Sequence, residues 1–102
     1  EEVIDTSKDC LQPDLKRRKS RLETYALDNL RMRGTLSEDD EIWALIESAD
    51  TNVYRMGVGE YLGLYHGRIS NVTPQYIEII ELIPDGSSCW AERPSNLELS
   101  GK

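Results

Sequence analysis

The chain has 102 residues, of which 38% are hydrophobic and 30% charged, and its formal net charge is −7 at pH 7. This length accommodates one domain with a small core, and no apolar run is long enough to span a bilayer. From Gly34 onward four basic residues face twelve acidic ones, a net charge of −8, which argues against a nucleic-acid partner because an acidic domain repels phosphate backbones.

Residues 1–28 are mostly polar and charged and lack sustained hydrophobic periodicity. We predict an extended or flexible amino-terminal arm here, with Tyr25 and Leu27 docking onto a β-domain at residues 29–100. Within the arm, residues 16–21 read KRRKSR, an intensely basic patch. Such a run is most often a solvated tail, and contact with nucleic acid or anionic lipid is the alternative.

Three strands are predicted between residues 30 and 58. Residues 30–36 alternate apolar and polar side chains up to Gly34, which indicates a first strand. Residues 42–46 form a continuous apolar run, typical of a strand buried on both faces. Residues 53–58 return as a third strand, and turns at residues 37–40 and 48–52 make the three a meander.

The second half of the chain is punctuated by glycine and proline. Four glycines, at positions 57, 59, 63 and 67, predict strand ends, a bulge and a tight corner. Strands are expected at residues 67–72, 76–83, 90–93 and 96–99, the last two separated by Pro94. The predicted fold class is therefore all-β, a small β-sandwich or partly open barrel of about seven short antiparallel strands with an amino-terminal arm.

No constellation of catalytic residues is visible, so we expect a binding module without enzyme activity, cofactor or metal. His66 is the single histidine and is expected to be a turn residue beside Gly67. The acidic residues 39–41 are explained either by a soluble hairpin tip or by calcium binding, and the former is favoured. Cys10 and Cys89 form either a disulfide or two unpaired thiols. With one distant histidine they do not make a zinc site.

The first strand is the best candidate for an exposed sheet edge, where another chain can add a strand. We expect Arg31 and Arg33 to face solvent or an acidic partner, while Leu30, Met32 and Thr35 face inward or toward the ladder. Arg55 and the corner at residues 59–67 are expected beside this edge. The candidate partner-binding residues are Leu30, Arg31, Met32, Arg33, Gly34, Thr35, Leu36, Arg55, Tyr61 and Tyr65.

Short motifs follow one another in order along the chain: PDLKRRK (13–19), LRMRGTL (30–36), WAL (43–45), VYR (53–55), VGEYLG (58–63), GRI (67–69), IE (77–78), Glu81, PDG (84–86) and WxERP (90–94). This ordered series resembles the PilP family of type IV pilus assembly lipoproteins. The resemblance covers residues 13–99. The β-domain is more loosely similar to the homology region of GspC from type II secretion, another small β-sandwich.

The resemblance implies a periplasmic module tethered to the inner membrane through a lipid anchor upstream of this chain. The arm is then expected to join the PilN–PilO heterodimer, and the β-domain to bind the amino-terminal periplasmic domains of the secretin PilQ. Cys10 lacks a lipobox and is not the lipid-bearing cysteine, and its pairing with Cys89 rests on the periplasmic location. The alternative function is a periplasmic β-domain that binds a small ligand or peptidoglycan.

Overall fold

The computed structural model describes residues 11–100, and within that range it contains seven β-strands, two short 3₁₀ turns and no α-helix. The 3₁₀ turns are Arg21–Thr24 and Leu27–Asn29. The strands are β1 (Arg31–Glu38), β2 (Glu41–Glu47), β3 (Val53–Met56), β4 (Tyr61–Leu62), β5 (Gly67–Val72), β6 (Tyr76–Pro84) and β7 (Trp90–Glu98). In this part of the chain no helix is long and apolar enough to cross a membrane.

The strands form two open antiparallel sheets, which confirms the predicted all-β class. One sheet has the order β1-β2-β3 and the other the order β4-β5-β6-β7. Hydrogen bonds join the two sheets at two places. The N–H of Ser100, just beyond β7, donates to Met32 O over 2.8 Å, and the N–H of Gly59 donates to Ile69 O over 2.9 Å.

The core lies between the two sheets and takes one side of each strand. Its buried members are Leu22, Leu30, Met32, Ala44, Ile46, Met56, Leu62, Ile69, Val72, Ile77 and Ile79. Leu22 belongs to the predicted arm but is only 1% exposed, and Tyr25 and Leu27 pack against the core as expected. Burial of the first 3₁₀ turn is therefore what attaches the segment before β1 to the domain.

Three details of the strand prediction are wrong. β2 is not buried on both faces, because Ala44 and Ile46 are buried while Trp43 and Leu45 on the opposite face remain half-buried. The corner before β5 contains the two-residue strand β4. Residues 90–98 form one strand rather than two, since Pro94 lies on the edge strand β7, where a missing N–H removes no ladder hydrogen bond.

The β1–β2 hairpin closes through the two-residue turn Asp39–Asp40, in the acidic segment that the sequence analysis assigned to a hairpin tip. Both residues have positive φ, 55° and 65°, as a type I′ turn requires. A bulge interrupts β1 between Met32 and Gly34. The turn sets the register at one end of the hairpin and the bulge changes it near the other.

Candidate interaction surface

The open edge of β1 runs from the bulge to the hairpin turn. β1 pairs with β2 on one side, and among residues 11–100 its other side is occupied at Met32, which meets Leu99 in a parallel bridge. In a hairpin with a two-residue turn, the residues that flank the turn exchange hydrogen bonds, and every second residue does so thereafter. Glu38, Leu36 and Gly34 therefore bond to β2. The backbone groups of Thr35 and Ser37 point outward along the open edge.

The outer face of the three-stranded sheet carries an apolar strip next to this edge. Register places Leu36 beside Trp43, and Leu45 beside Arg55, on the face away from the core. Leu36 is 42% exposed, and Val58 beyond β3 is 61% exposed. A partner strand added to β1 would find this strip within reach of its side chains.

Trp43 is the centre of the outer face. The guanidinium carbon of Arg55 lies 4.8 Å from the centroid of its ring. On the β3 side the ring lies against Gly57, where an added Cβ would come within 2.8 Å of two ring carbons. Trp43 and Gly57 line a groove of about 370 Å³, together with Glu41, Ile42, Val58 and Glu60.

Two exposed ion pairs frame the outer face. Arg55 donates to Glu38 over 3.0 Å, across the width of β2, and Arg33 pairs with Glu47 at 3.2 Å. Exposed pairs of this kind contribute at most about 1 kcal/mol each. They hold the arginine side chains along the sheet and are weak enough for an incoming partner to replace.

Most of the predicted partner-binding residues lie on this sheet, but their accessibility differs. Leu30 and Met32 are core residues, 3% and 0% exposed, so their side chains do not face a partner. Arg31, Arg33 and Leu36 are exposed, and Gly34 and Thr35 are half-buried. Arg55 lies on β3, at the opposite edge of this sheet, and reaches β1 across β2 through its pair with Glu38.

Tyr61 and Tyr65 are not part of the same surface, because they belong to the other sheet. Tyr61 starts β4, and Tyr65 lies in the turn between β4 and β5. An arginine covers each ring: Arg17 lies 3.4 Å from the centroid of Tyr61, and Arg93 lies 5.2 Å from that of Tyr65. The structure thus separates these two tyrosines from the β1 edge.

The arginine over Tyr61 is held by a buried carboxylate. Arg17 donates from Nη1 to Glu23 Oε1 over 2.9 Å, and Glu23 is only 7% exposed. Burial by itself raises the pKa of Glu23, but the hydrogen bonds from Arg17 and from the Ser20 amide outweigh it and lower the pKa below 4.5. The same ion pair raises the pKa of Arg17.

The arginine over Tyr65 follows the same arrangement. Glu81, 2% exposed, accepts from Arg93 Nε over 3.0 Å and from Ser95 Oγ over 3.3 Å. Burial of a carboxylate is tolerated here because charged and polar donors saturate one oxygen. Both tyrosine contacts therefore depend on buried glutamates, of which Glu81 belongs to the family motifs and Glu23 was not indicated by the sequence.

His66 lies in the turn that the sequence predicted, with a positive φ of 56°. Its ring packs edge-on against Trp90, with 5.6 Å between the centroids. Burial lowers the pKa of His66, and the nearby charges of Lys19 and Arg17 lower it further. Among residues 11–100 no group of three or more His, Cys, Asp or Glu side chains is arranged to hold a metal ion.

Trp43 and Leu45 lie on the outer face, although the sequence prediction favoured a structural role for Trp43 and placed both residues in a strand buried on both faces. Residues 42–46 were interpreted as a continuous buried run, although every second residue of a strand faces the same side. Counting in twos from Glu41 and Glu47 places Trp43 and Leu45 on the face that carries these two charges. The position of the two residues, an even number of residues from these glutamates, is the sequence feature that indicates their exposure.

Comparison with known proteins places the chain among pilus assembly proteins. The family model described as pilus assembly protein PilP matches residues 1–99. The chain is 38% identical over 89 residues to the type IV pilus inner membrane component PilP of Pseudomonas aeruginosa, covering 87% of this chain. It spans 51% of that relative, about half its length.

Solved structures agree with this relationship. A domain of the type IV pilus biogenesis lipoprotein PilP from Pseudomonas aeruginosa matches with a TM-score of 0.80 and 39% identity, over 86% of this chain and 100% of that domain. A domain of the Neisseria meningitidis PilP pilot protein matches with a TM-score of 0.67 and 35% identity, over 99% of this chain and 84% of that domain.

Proposed function

The chain belongs to the PilP family of pilus assembly proteins, and from that membership we propose that it is a non-catalytic adaptor in type IV pilus biogenesis. In this proposal it lies in the periplasm, tethered to the inner membrane through a lipid anchor upstream of residue 1. The arm joins the PilN–PilO heterodimer, and the β-domain binds the amino-terminal periplasmic domains of the secretin PilQ.

The observation that supports the secretin contact is the edge of β1 from Gly34 to Glu38, which pairs with no strand among residues 11–100 on its outer side. An open edge offers backbone donors and acceptors at a fixed spacing, and strand addition is a common way to recognise an extended segment. Thr35 and Ser37 supply these groups. The apolar strip at Leu36 and Trp43 supplies side-chain specificity beside them.

The charges along this edge are divided between its two ends. Arg31 and Arg33 flank the start of the open edge, and the hairpin end is strongly acidic. Two copies that pair through this edge in parallel bring like charges together, which charged edge residues commonly prevent, whereas antiparallel pairing of two copies brings opposite charges together. A secretin strand with the opposite order of charges would be attracted.

The proposal is tested by Thr35→Pro. Proline removes the outward N–H of residue 35 without removing a bond to β2, so the fold should persist while strand addition is blocked. We expect wild-type protein to shift in a chemical-shift titration with the amino-terminal domains of PilQ. The Thr35→Pro variant should bind at least tenfold more weakly.

Asn96→Pro is the matched control because residue 96 lies on β7, an edge strand of the other sheet, two residues from the natural Pro94. This variant should bind PilQ domains like wild type. Equal loss in both variants, or no loss in Thr35→Pro, would place the secretin contact elsewhere. Absence of any shift with wild-type protein at high micromolar concentration would overturn the adaptor function itself.

The groove beside Trp43 supports the second candidate function, binding of a small ligand or of peptidoglycan fragments. A groove lined by the Trp43 ring and by the carboxylates of Glu41 and Glu60 is suited to a sugar or a cationic peptide stem. Titration with soluble muropeptides distinguishes the two functions. Saturable shifts confined to Trp43, Gly57 and Val58, without any response to PilQ domains, would favour the ligand.

A further inference from the structure

The structure divides the cations of the basic patch, residues 16–21, into two groups. Arg17 is turned toward the domain, where it pairs with Glu23 and covers Tyr61. The other cations, Lys16, Arg18, Lys19 and Arg21, are exposed. Among residues 11–100 none of these four has a carboxylate within ion-pair distance.

The patch is attached to the β-domain rather than carried on a free tail. Ser20 Oγ donates to Tyr61 O over 2.6 Å, and the N–H of Gly63 donates to Leu22 O over 3.0 Å. With the Arg17–Glu23 pair, these contacts hold both ends of the segment 17–22 against β4. The four free cations are therefore presented from a fixed place on the domain.

An exposed apolar side chain lies next to the cations. Leu15, adjacent to Lys16, is 76% exposed. Cations beside an exposed leucine match the boundary between lipid headgroups and acyl chains, where charge and apolar surface are both accommodated. An acidic peptide would satisfy the charges and leave Leu15 in water.

We propose that Lys16, Arg18, Lys19 and Arg21, together with Leu15, bind the surface of an anionic lipid bilayer. The proposal rests on the proposed location of the chain beside the inner membrane. The acidic remainder of the domain does not prevent this contact, because charges more than about 8 Å from the surface are largely screened at physiological salt. Each cation near an anionic surface strengthens partitioning about fivefold.

The test is co-sedimentation with vesicles of phosphatidylcholine containing about one-third phosphatidylglycerol. Partitioning should be much weaker into phosphatidylcholine alone and should fall as salt rises. Arg18→Gln/Lys19→Gln should reduce partitioning about 25-fold, since two exposed cations are lost. Leu15→Ser should reduce it about tenfold, because the apolar contact is removed.

The matched control is Arg31→Gln/Arg33→Gln, which removes two exposed cations from the three-stranded sheet. It should partition like wild type. Equal binding to neutral and anionic vesicles, or unchanged partitioning of Arg18→Gln/Lys19→Gln, would overturn the proposal. A further contradicting result is that wild type does not bind vesicles but binds PilN–PilO with an affinity that falls as salt rises and that Arg18→Gln/Lys19→Gln loses. That result would assign the patch to a protein partner.

The outcome is separable from that of the secretin contact. Lys16, Arg18, Lys19 and Arg21 precede or lie within the first 3₁₀ turn, whereas the β1 edge belongs to the three-stranded sheet. Arg18→Gln/Lys19→Gln should keep its response to PilQ domains, and Thr35→Pro should keep its partitioning into vesicles. Each variant thus reports on one surface.

Discussion

At the scale of single residues, two buried glutamates each hold an arginine near a tyrosine ring. Glu23 holds Arg17 over Tyr61, and Glu81 holds Arg93 near Tyr65. A buried carboxylate is stable only with such partners, because desolvation of an unpaired charge costs several kcal/mol. The stability of the segment before β1 therefore depends on one ion pair that is distant in sequence from the strand it covers.

Glu23→Gln tests this dependence. Loss of the negative charge leaves Arg17 without its partner, and we expect the free energy of unfolding at pH 7 to fall by about 2 to 3 kcal/mol. Glu60→Gln, at an exposed glutamate near the same corner, should change it by less than about 0.5 kcal/mol. Urea denaturation followed by tryptophan fluorescence gives both values.

The pH dependence of stability supplies a second measurement on the same pair. The pKa of Glu23 is lower in the folded chain than its ordinary value of 4.5, so its stabilisation is complete above pH 4.5 and is lost as the pH falls through the folded pKa. Glu23→Gln should lack this acid-side loss. If the stability of Glu23→Gln fell with decreasing pH as steeply as that of wild type, the acid-side loss would not come from the Arg17–Glu23 pair.

At the scale of elements, the shortest strand depends on a close approach of two backbones at Gly67. β4 is two residues long and pairs Leu62 with Gly67 at the start of β5. A Cβ on Gly67 would come within 2.8 Å of Leu62 O and of Ile79 Cγ2. Neither atom is free to move, since one is backbone within the hairpin and the other is core.

Gly67→Ala should therefore lower the free energy of unfolding by about 2 to 4 kcal/mol, because β4 must separate from β5 to admit the methyl group. Gly34→Ala is the control: an added Cβ there meets nothing within 4 Å, and the effect should stay within about 0.5 kcal/mol. Chemical denaturation compares the two. Equal midpoints would show that the corner accommodates a side chain.

At the scale of the whole molecule, the start and end of the described chain meet other parts of the fold. The N–H of Trp90 donates to Leu11 O over 3.1 Å, and Ser100 bonds to Met32 as described above. Leu11 and Trp90 directly follow the two cysteines in sequence. Cys10 lies outside the described residues, so its pairing with Cys89 stays a prediction, supported by this bridge between their neighbours.

A Cys10–Cys89 disulfide would close a loop of roughly 80 residues, with an ideal stabilisation of about 4 to 5 kcal/mol. Thiol labelling of the unfolded, unreduced protein should then detect no free cysteine. A reductant should lower the melting temperature of wild type, while a Cys10→Ser/Cys89→Ser variant should be insensitive to it. Two labelled thiols in protein purified from an oxidising compartment would contradict the pairing.

Local patterns determined much of this fold. Alternation over residues 30–36, the turn residues at 37–40 and the apolar run at 76–83 predicted β1, its hairpin turn and β6, since these features depend on neighbours along the chain. The ordered motifs identified the family, which the comparisons confirmed. Pro94 misled the prediction because its effect depends on whether a strand lies at an edge, and sequence does not show that.

Tertiary structure alone decided how the surfaces are distributed. Arg17 and Tyr61 are 44 positions apart in the sequence, and no local pattern indicates that the first lies over the second. Likewise, only the division into two sheets separates Tyr61 and Tyr65 from the β1 edge, and only packing shows which face of β2 is buried. A periodic pattern specifies the strand and its two faces, whereas the partner of each face depends on how the distant strands close around the core.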